Sequence, residues 1–174
     1  KTKIEWCHHT FNPWIGCTKV GPGCDHCYAE SYGRRFGVTW GPGQQRRRTS
    51  EATWRQPLAW AARIRKADGP RERVFCASLA DVFDHEVPEA WRKDLWQIIR
   101  ETRDVLNWLL LTKRIGNAQH MLPADLQDGA PGLWMGVTAV NQAELGRDIG
   151  KLLAIPAHIR FLSAEPLLGP LDLA

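Results

Sequence analysis

Four short apolar runs, separated by stretches of helical periodicity, fill the second part of the chain. Val74-Phe75-Cys76-Ala77-Ser78-Leu79 predicts a strand. Asn107 to Leu111 predicts a second, ended by Thr112-Lys113-Arg114. Leu133-Trp134-Met135-Gly136-Val137 and Ile159-Arg160-Phe161-Leu162-Ser163 predict two more. Between the first two, Pro88 suits a first helical turn, and Trp91, Leu95, Ile98 and Ile99 recur on one helical face. A short helix over 115–121 follows. Asn141 and Glu144 form a capping box for a helix running to Leu153. Further upstream, helices are expected from Tyr28 to about Phe36 and from Glu51 to Lys66, the latter capped by Thr49 or Ser50.

Strands apolar on both faces that alternate with amphipathic helices predict an α/β fold, a parallel sheet covered by helices. With a further strand from residues 10–16 the count reaches five βα units. An eight-stranded barrel needs about 200 residues or more, so a partial (β/α) barrel of five to six strands, or an open sheet, is expected. The 174 residues predict a single domain: a loop-rich segment over 1–50, then βα repeats over 51–174. The chain opens without Met and follows its last strand with Pro166-Leu167-Leu168-Gly169-Pro170 and no closing helix. It is therefore expected to be truncated at the C-terminus.

Composition narrows the class. Hydrophobic content of 44% and charged content of 24% exclude a disordered chain. No window is apolar enough for a transmembrane helix, and residues 1–7 lack the apolar core of a secretory signal. No membrane association and a cytoplasmic location are expected. No Walker A sequence and no Gly-x-Gly-x-x-Gly opening a helix is present. A net charge of +4 permits a phosphate-bearing partner without demanding one.

Five Cys, an odd number, favour metal or redox chemistry over a disulfide framework. Three form Cys-x6-Cys-x2-Cys: Cys17, Cys24 and Cys27. The Cys-x2-Cys half lets two thiolates converge, and Gly21-Pro22-Gly23 is a turn able to return Cys17 to the same point. Three thiolates suit a cluster that leaves one iron open. A structural zinc site wants four ligands, and Cys7, His8, His9 or His26 could supply the fourth. Spacing alone leaves cluster and zinc both open. Cys7 reads as a bystander and Cys76 as core.

The blocks Thr10-Phe11-Asn12-Pro13-Trp14, Gly16-Cys17-Thr18-Lys19-Val20 and Gly23-Cys24-Asp25-His26-Cys27-Tyr28-Ala29-Glu30 resemble a phage and prophage three-Cys-motif family, a domain of unknown function. So do Ser78-Leu79-Ala80-Asp81-Val82-Phe83, Leu110-Leu111-Thr112-Lys113-Arg114 and Ser163-Ala164-Glu165-Pro166-Leu167-Leu168-Gly169. That family in turn resembles radical S-adenosylmethionine (SAM) enzymes. The resemblance implies a [4Fe-4S] cluster on Cys17, Cys24 and Cys27 at the open end of a partial barrel. It also implies SAM as ligand of the open iron and source of a 5′-deoxyadenosyl radical, and an electron donor as partner. The spacing departs from the commoner Cys-x3-Cys-x2-Cys, and His26 stands where an aromatic residue usually packs on adenine.

In parallel α/β folds ligands sit at the carboxyl ends of strands. Ser78, Asp81, Lys113, Arg114, Thr138 and Glu165 follow the predicted strands and are candidate SAM-binding residues. Asp81 or Glu165 could hold ribose hydroxyls or the methionine ammonium; Lys113 or Arg114 could hold its carboxylate. Acids in such positions also cap helices or pair with Arg. The run Arg46-Arg47-Arg48, with Trp40 and Trp54, could contact phosphates and stack on bases, which makes nucleic acid or a nucleobase a candidate substrate. The same run could be a solvated face. The alternative of a different class is a zinc-stabilised, non-catalytic module that binds nucleic acid or protein.

Overall fold

The computed structural model describes residues 2–173. Its strands are β1 (His9–Thr10), β2 (Trp14–Ile15), β3 (Arg47–Arg48), β4 (Glu72–Cys76), β5 (Leu106–Thr112), β6 (Leu133–Thr138) and β7 (Ile159–Ser163). Its α-helices are α1 (Tyr28–Arg34), α2 (Glu51–Trp54), α3 (Gln56–Ala67), α4 (Glu89–Thr102), α5 (Ile115–Met121) and α6 (Gln142–Ala154).

Five strands form one parallel sheet in the order β1-β4-β5-β6-β7. Each neighbour pair after β1 is joined by a helical crossover, as parallel pairing requires. The result is a mixed α/β fold with an open five-stranded sheet. Among the described residues no pairing returns β7 to β1. No helix is long and apolar enough to cross a membrane.

The core reflects the double-sided burial expected of such strands. Val74, Cys76, Leu106, Trp108, Leu110, Leu133, Met135 and Val137 lie in one apolar cluster with Leu95 and Ile99 of α4. Trp96 and Trp108 are buried, as their helix and strand positions predict, while Trp91 and Trp134 are half-buried. A smaller cluster of Ile15, Ala29, Val38 and Leu79 sits beneath the cysteine segment and packs against Cys27 and Trp40.

Three expectations need correcting. Residues 10–16 do not form one strand. His9–Thr10 pairs in parallel with β4, but Trp14–Ile15 turns away to pair antiparallel with Arg47–Arg48. Pro13 lies between them and has no N–H to continue a ladder. The single helix expected over 51–66 is two, separated at Arg55. Pro57 cannot donate to Thr53, and its ring crowds that carbonyl, so it begins a new helix. The first regular strand starts two residues before its apolar run, where Glu72 and Arg73 pair with Leu106 and Asn107, and it ends at Cys76 instead of Leu79.

The capping box of α6 forms with one difference. Asn141 accepts from the Glu144 N–H at 3.0 Å, and Glu144 in return accepts from Val140, one residue before the cap.

Candidate functional site

The segment carrying the cysteines is fastened to the carboxyl ends of β4 and β5. After β1, the Asn12 amide donates to Ser78 Oγ at 3.0 Å and its carbonyl accepts from the Leu79 N–H at 2.8 Å. Gly16 then donates to the Leu79 carbonyl at 3.1 Å. Its φ of +116° is one that glycine reaches without strain, and a Cβ there would meet Arg46 Cδ at 3.1 Å. The turn at Gly16 delivers Cys17 to the end of the sheet.

From Cys17 the chain passes into a 3-10 turn, Pro22–Cys24, closed by Cys24 N–H to the Gly21 carbonyl at 2.9 Å. Gly23 lets the turn pack closely against Val140 and Lys113. A Cβ on it would lie 2.6 Å from Val140 Cγ1 and 3.3 Å from Lys113 Cε. Cys27 is the N-cap residue of α1, and Tyr28 Oη reaches back to the Ser78 carbonyl at 3.0 Å.

These elements border one cavity of about 1090 Å³ at the carboxyl edge of the sheet. Its lining includes Cys17, Cys24 and Cys27, together with His26, Ser78, Asp81, Lys113, Arg114, Thr138 and Glu165. All the residues singled out for cluster and SAM binding thus border the same space, although they come from segments far apart in the chain. Trp40 lines it too. The five cysteines are free thiols; Cys76 is fully buried in β4, and Cys7 is buried away from the cavity lining.

The roles available to these residues differ. Asp81 is buried, and its oxygens are taken up by Thr112 Oγ1 at 2.7 and 2.9 Å, Phe83 N–H at 3.0 Å, Lys113 N–H at 3.1 Å and Arg114 at 3.3 Å. Arg114 spends its guanidinium on Asp81, on Cys17 Sγ at 3.2 Å and on the Thr18 carbonyl at 2.6 Å. Asp81 and Arg114 thus border the cavity while already engaged with each other and with Cys17 and Thr18. Lys113 and Glu165, both on the cavity lining, make no ion pair among the described residues.

Burial pushes the Cys17 thiol up to about 11; Asp81 adds to the rise, and Arg114 opposes it. Burial also works against the charge on Arg114. Asp81 and Cys17 more than offset it, so the guanidinium stays firmly protonated.

The basic run is largely engaged within the fold. Arg46 is buried: its guanidinium pairs with Asp84 at 2.8 Å and Glu86 at 3.3 Å and donates to Thr18 Oγ1 at 2.7 Å. Arg48 lies 3.8 Å over the ring of Trp54 and pairs with Asp94, and Trp54 is itself buried. Only Arg47 of the three is exposed, and it donates to the Phe36 carbonyl. Trp40 is half-buried, close above Gly33. Arg46 and Trp54 are thus withdrawn from any surface role; the acids that draw Arg46 inward lie too far along the chain to be anticipated.

The family model for "Protein of unknown function (DUF5131)" matches residues 1–174. The chain belongs to that family. Neither curated proteins nor solved structures yielded a match.

In this DUF5131 domain three thiols border one cavity together with the cation Lys113 and the carboxylate Glu165. Among the described residues no group of three or more His, Cys, Asp or Glu side chains is close enough to hold a metal ion. The fourth ligands considered for zinc are mostly engaged elsewhere. His8 Nδ1 accepts from the Arg73 N–H at 2.8 Å, and His9 meets Glu72 at 2.6 Å. His26 is exposed at the cavity rim.

Asn12, Tyr28, Thr18 and Asp84 were not anticipated as site residues. Asn12 carried a signal, since an Asn before Pro marks a turn. Asp84 carried none, its partner lying 38 positions away.

Proposed function

We propose that this domain is a radical-SAM-type iron–sulfur enzyme. The observation that carries the reading is the shared cavity: Cys17, Cys24 and Cys27 line it together with Lys113, Thr138 and Glu165 at the carboxyl edge of a parallel sheet. Ligands of α/β folds favour that edge. Thiolates on one zinc lie about 3.8 Å apart, because each bond is about 2.3 Å long. Thiolates of a four-iron cluster sit on separate irons and spread more widely. Three thiols, one fewer than the four ligands of a structural zinc site, suit a cluster with one open iron.

When bound, a reduced [4Fe-4S] cluster supplies the electron that cleaves the sulfonium C–S bond of SAM. The chain's own work is to bind and orient. Cys17, Cys24 and Cys27 hold the cluster. Lys113 binds the methionine carboxylate, and Glu165 binds the ammonium group. The hydroxyls of Ser78 and Thr138 are available for ribose.

The substrate is proposed to be nucleic acid or a nucleobase, with a redox protein as electron donor. Stacking on bases falls to Tyr28 and Tyr32, which are exposed at the cavity mouth, instead of Trp54.

Anaerobic reconstitution with iron and sulfide, followed by iron and sulfide quantitation, tests the reading. About four irons per chain in the wild type, with large losses in C17A, C24A and C27A, are expected. One tightly held zinc and no iron uptake would overturn the reading in favour of a binding module.

A further inference from the structure

The three cavity thiols are not equivalent. Arg114 lies just past β5, 97 positions from Cys17, and its Nη1 is 3.2 Å from the Cys17 sulfur. Among the described residues, neither Cys24 nor Cys27 uses its sulfur in a hydrogen bond. The approach of Arg114 is also held from several sides. Its Nη2 donates to the Thr18 carbonyl at 2.6 Å, and its backbone N–H donates to Thr112 Oγ1 at 2.8 Å. Asp81 accepts from Nη1 at 3.3 Å and is itself fixed by Thr112 and two backbone N–H groups. Thr18 is gripped from its other side by Arg46. A guanidinium held this way cannot swing away from the sulfur without breaking a buried network.

We infer that Arg114 is a positioning residue for Cys17, one that also sets the electron affinity of whatever Cys17 ligates. The inference rests on the cluster reading above. A cationic N–H donated to a ligating thiolate draws electron density from sulfur. It therefore stabilises the more negative, reduced cluster and raises its reduction potential. Asp81 acts through Arg114, aiming the guanidinium and partly balancing its charge. Cys17 is then the ligand through which the protein tunes the cluster, while Cys24 and Cys27 supply ligation alone.

The test is an EPR-monitored redox titration of the reconstituted protein without SAM, comparing wild type, Arg114→Met, Arg114→Lys and Lys113→Met. Arg114→Met removes both the charge and the sulfur contact. Its cluster is expected to be about tenfold less reduced at a fixed potential, a lowering of about 59 mV for a one-electron couple. Arg114→Lys keeps the charge and falls between, and it carries the test should the Met variant fail to fold. Lys113→Met removes a neighbouring charge without touching sulfur and shifts the potential less than either. Equal potentials in wild type and both Arg114 variants, with four irons present, would overturn the inference and leave the cluster reading standing. An equal shift from Lys113→Met would assign the effect to charge alone and overturn the sulfur contact as its origin. Absence of iron uptake by the wild type would overturn the cluster reading, and the tuning role with it.

Discussion

Arg46 illustrates how a single side chain is spent. Its guanidinium is fully enclosed and meets Asp84, Glu86, Thr18 and the carbonyls of Gly41 and Gln44. Asp84 is likewise fully buried. Removing one member leaves an uncompensated buried charge, at a cost of about 3–5 kcal/mol. Arg46→Met is expected to lower unfolding stability by an amount in that range, read from denaturant melts. A loss under 1 kcal/mol would show that the pair contributes little. The residue identities were legible in the sequence, but this pairing was not. An Arg-Arg-Arg run has the composition of a solvated or phosphate-binding face, and only the fold brings Asp84 to Arg46. Cys17, Cys24 and Cys27 were legible because their spacing is local. Arg114 was legible as a strand-end cation, but not as the partner of a sulfur in a distant segment.

At the scale of elements, strands and helices followed from periodicity wherever packing and pattern agree. β5, β6 and β7 lie where the apolar runs put them, and α5 spans the residues expected of it. The misses have local causes: Pro13 divides the first expected strand and Pro57 the first long helix. β1 was hard to see, being two residues long and half-buried. It is held by His9, whose ring stacks on Trp60 at 4.0 Å and meets Glu72 at 2.6 Å. Burial lowers the His9 pKa from 6.5, and Glu72 pulls the other way without overcoming it. The folded state therefore binds this proton less readily than the unfolded chain. Stability from His9 is full above about pH 6.5 and is lost as pH falls below it through the lowered folded value. His9→Gln is expected to flatten the slope of melting temperature against pH between about pH 6.5 and 5. An unchanged slope would remove His9 as its source.

For the whole molecule, the open parallel sheet accounts for the position of the site. Its carboxyl edge gathers the ends of β4, β5, β6 and β7, and the segment before α1 folds over that edge. The sheet and its alternation with helices were visible in the sequence. The closure of the cysteine segment by Asn12, Tyr28, Arg46 and Arg114 was not, because each tie joins residues at least 28 positions apart. The central claim is that Cys17, Cys24 and Cys27 hold a cluster with one iron open to SAM. EPR of the dithionite-reduced, reconstituted protein, recorded with and without SAM, tests it most directly. A reduced-cluster signal that changes shape on adding SAM, and that Lys113→Met weakens in its response, is the expected result. A signal indifferent to SAM, or a colourless protein with no signal, would contradict the account.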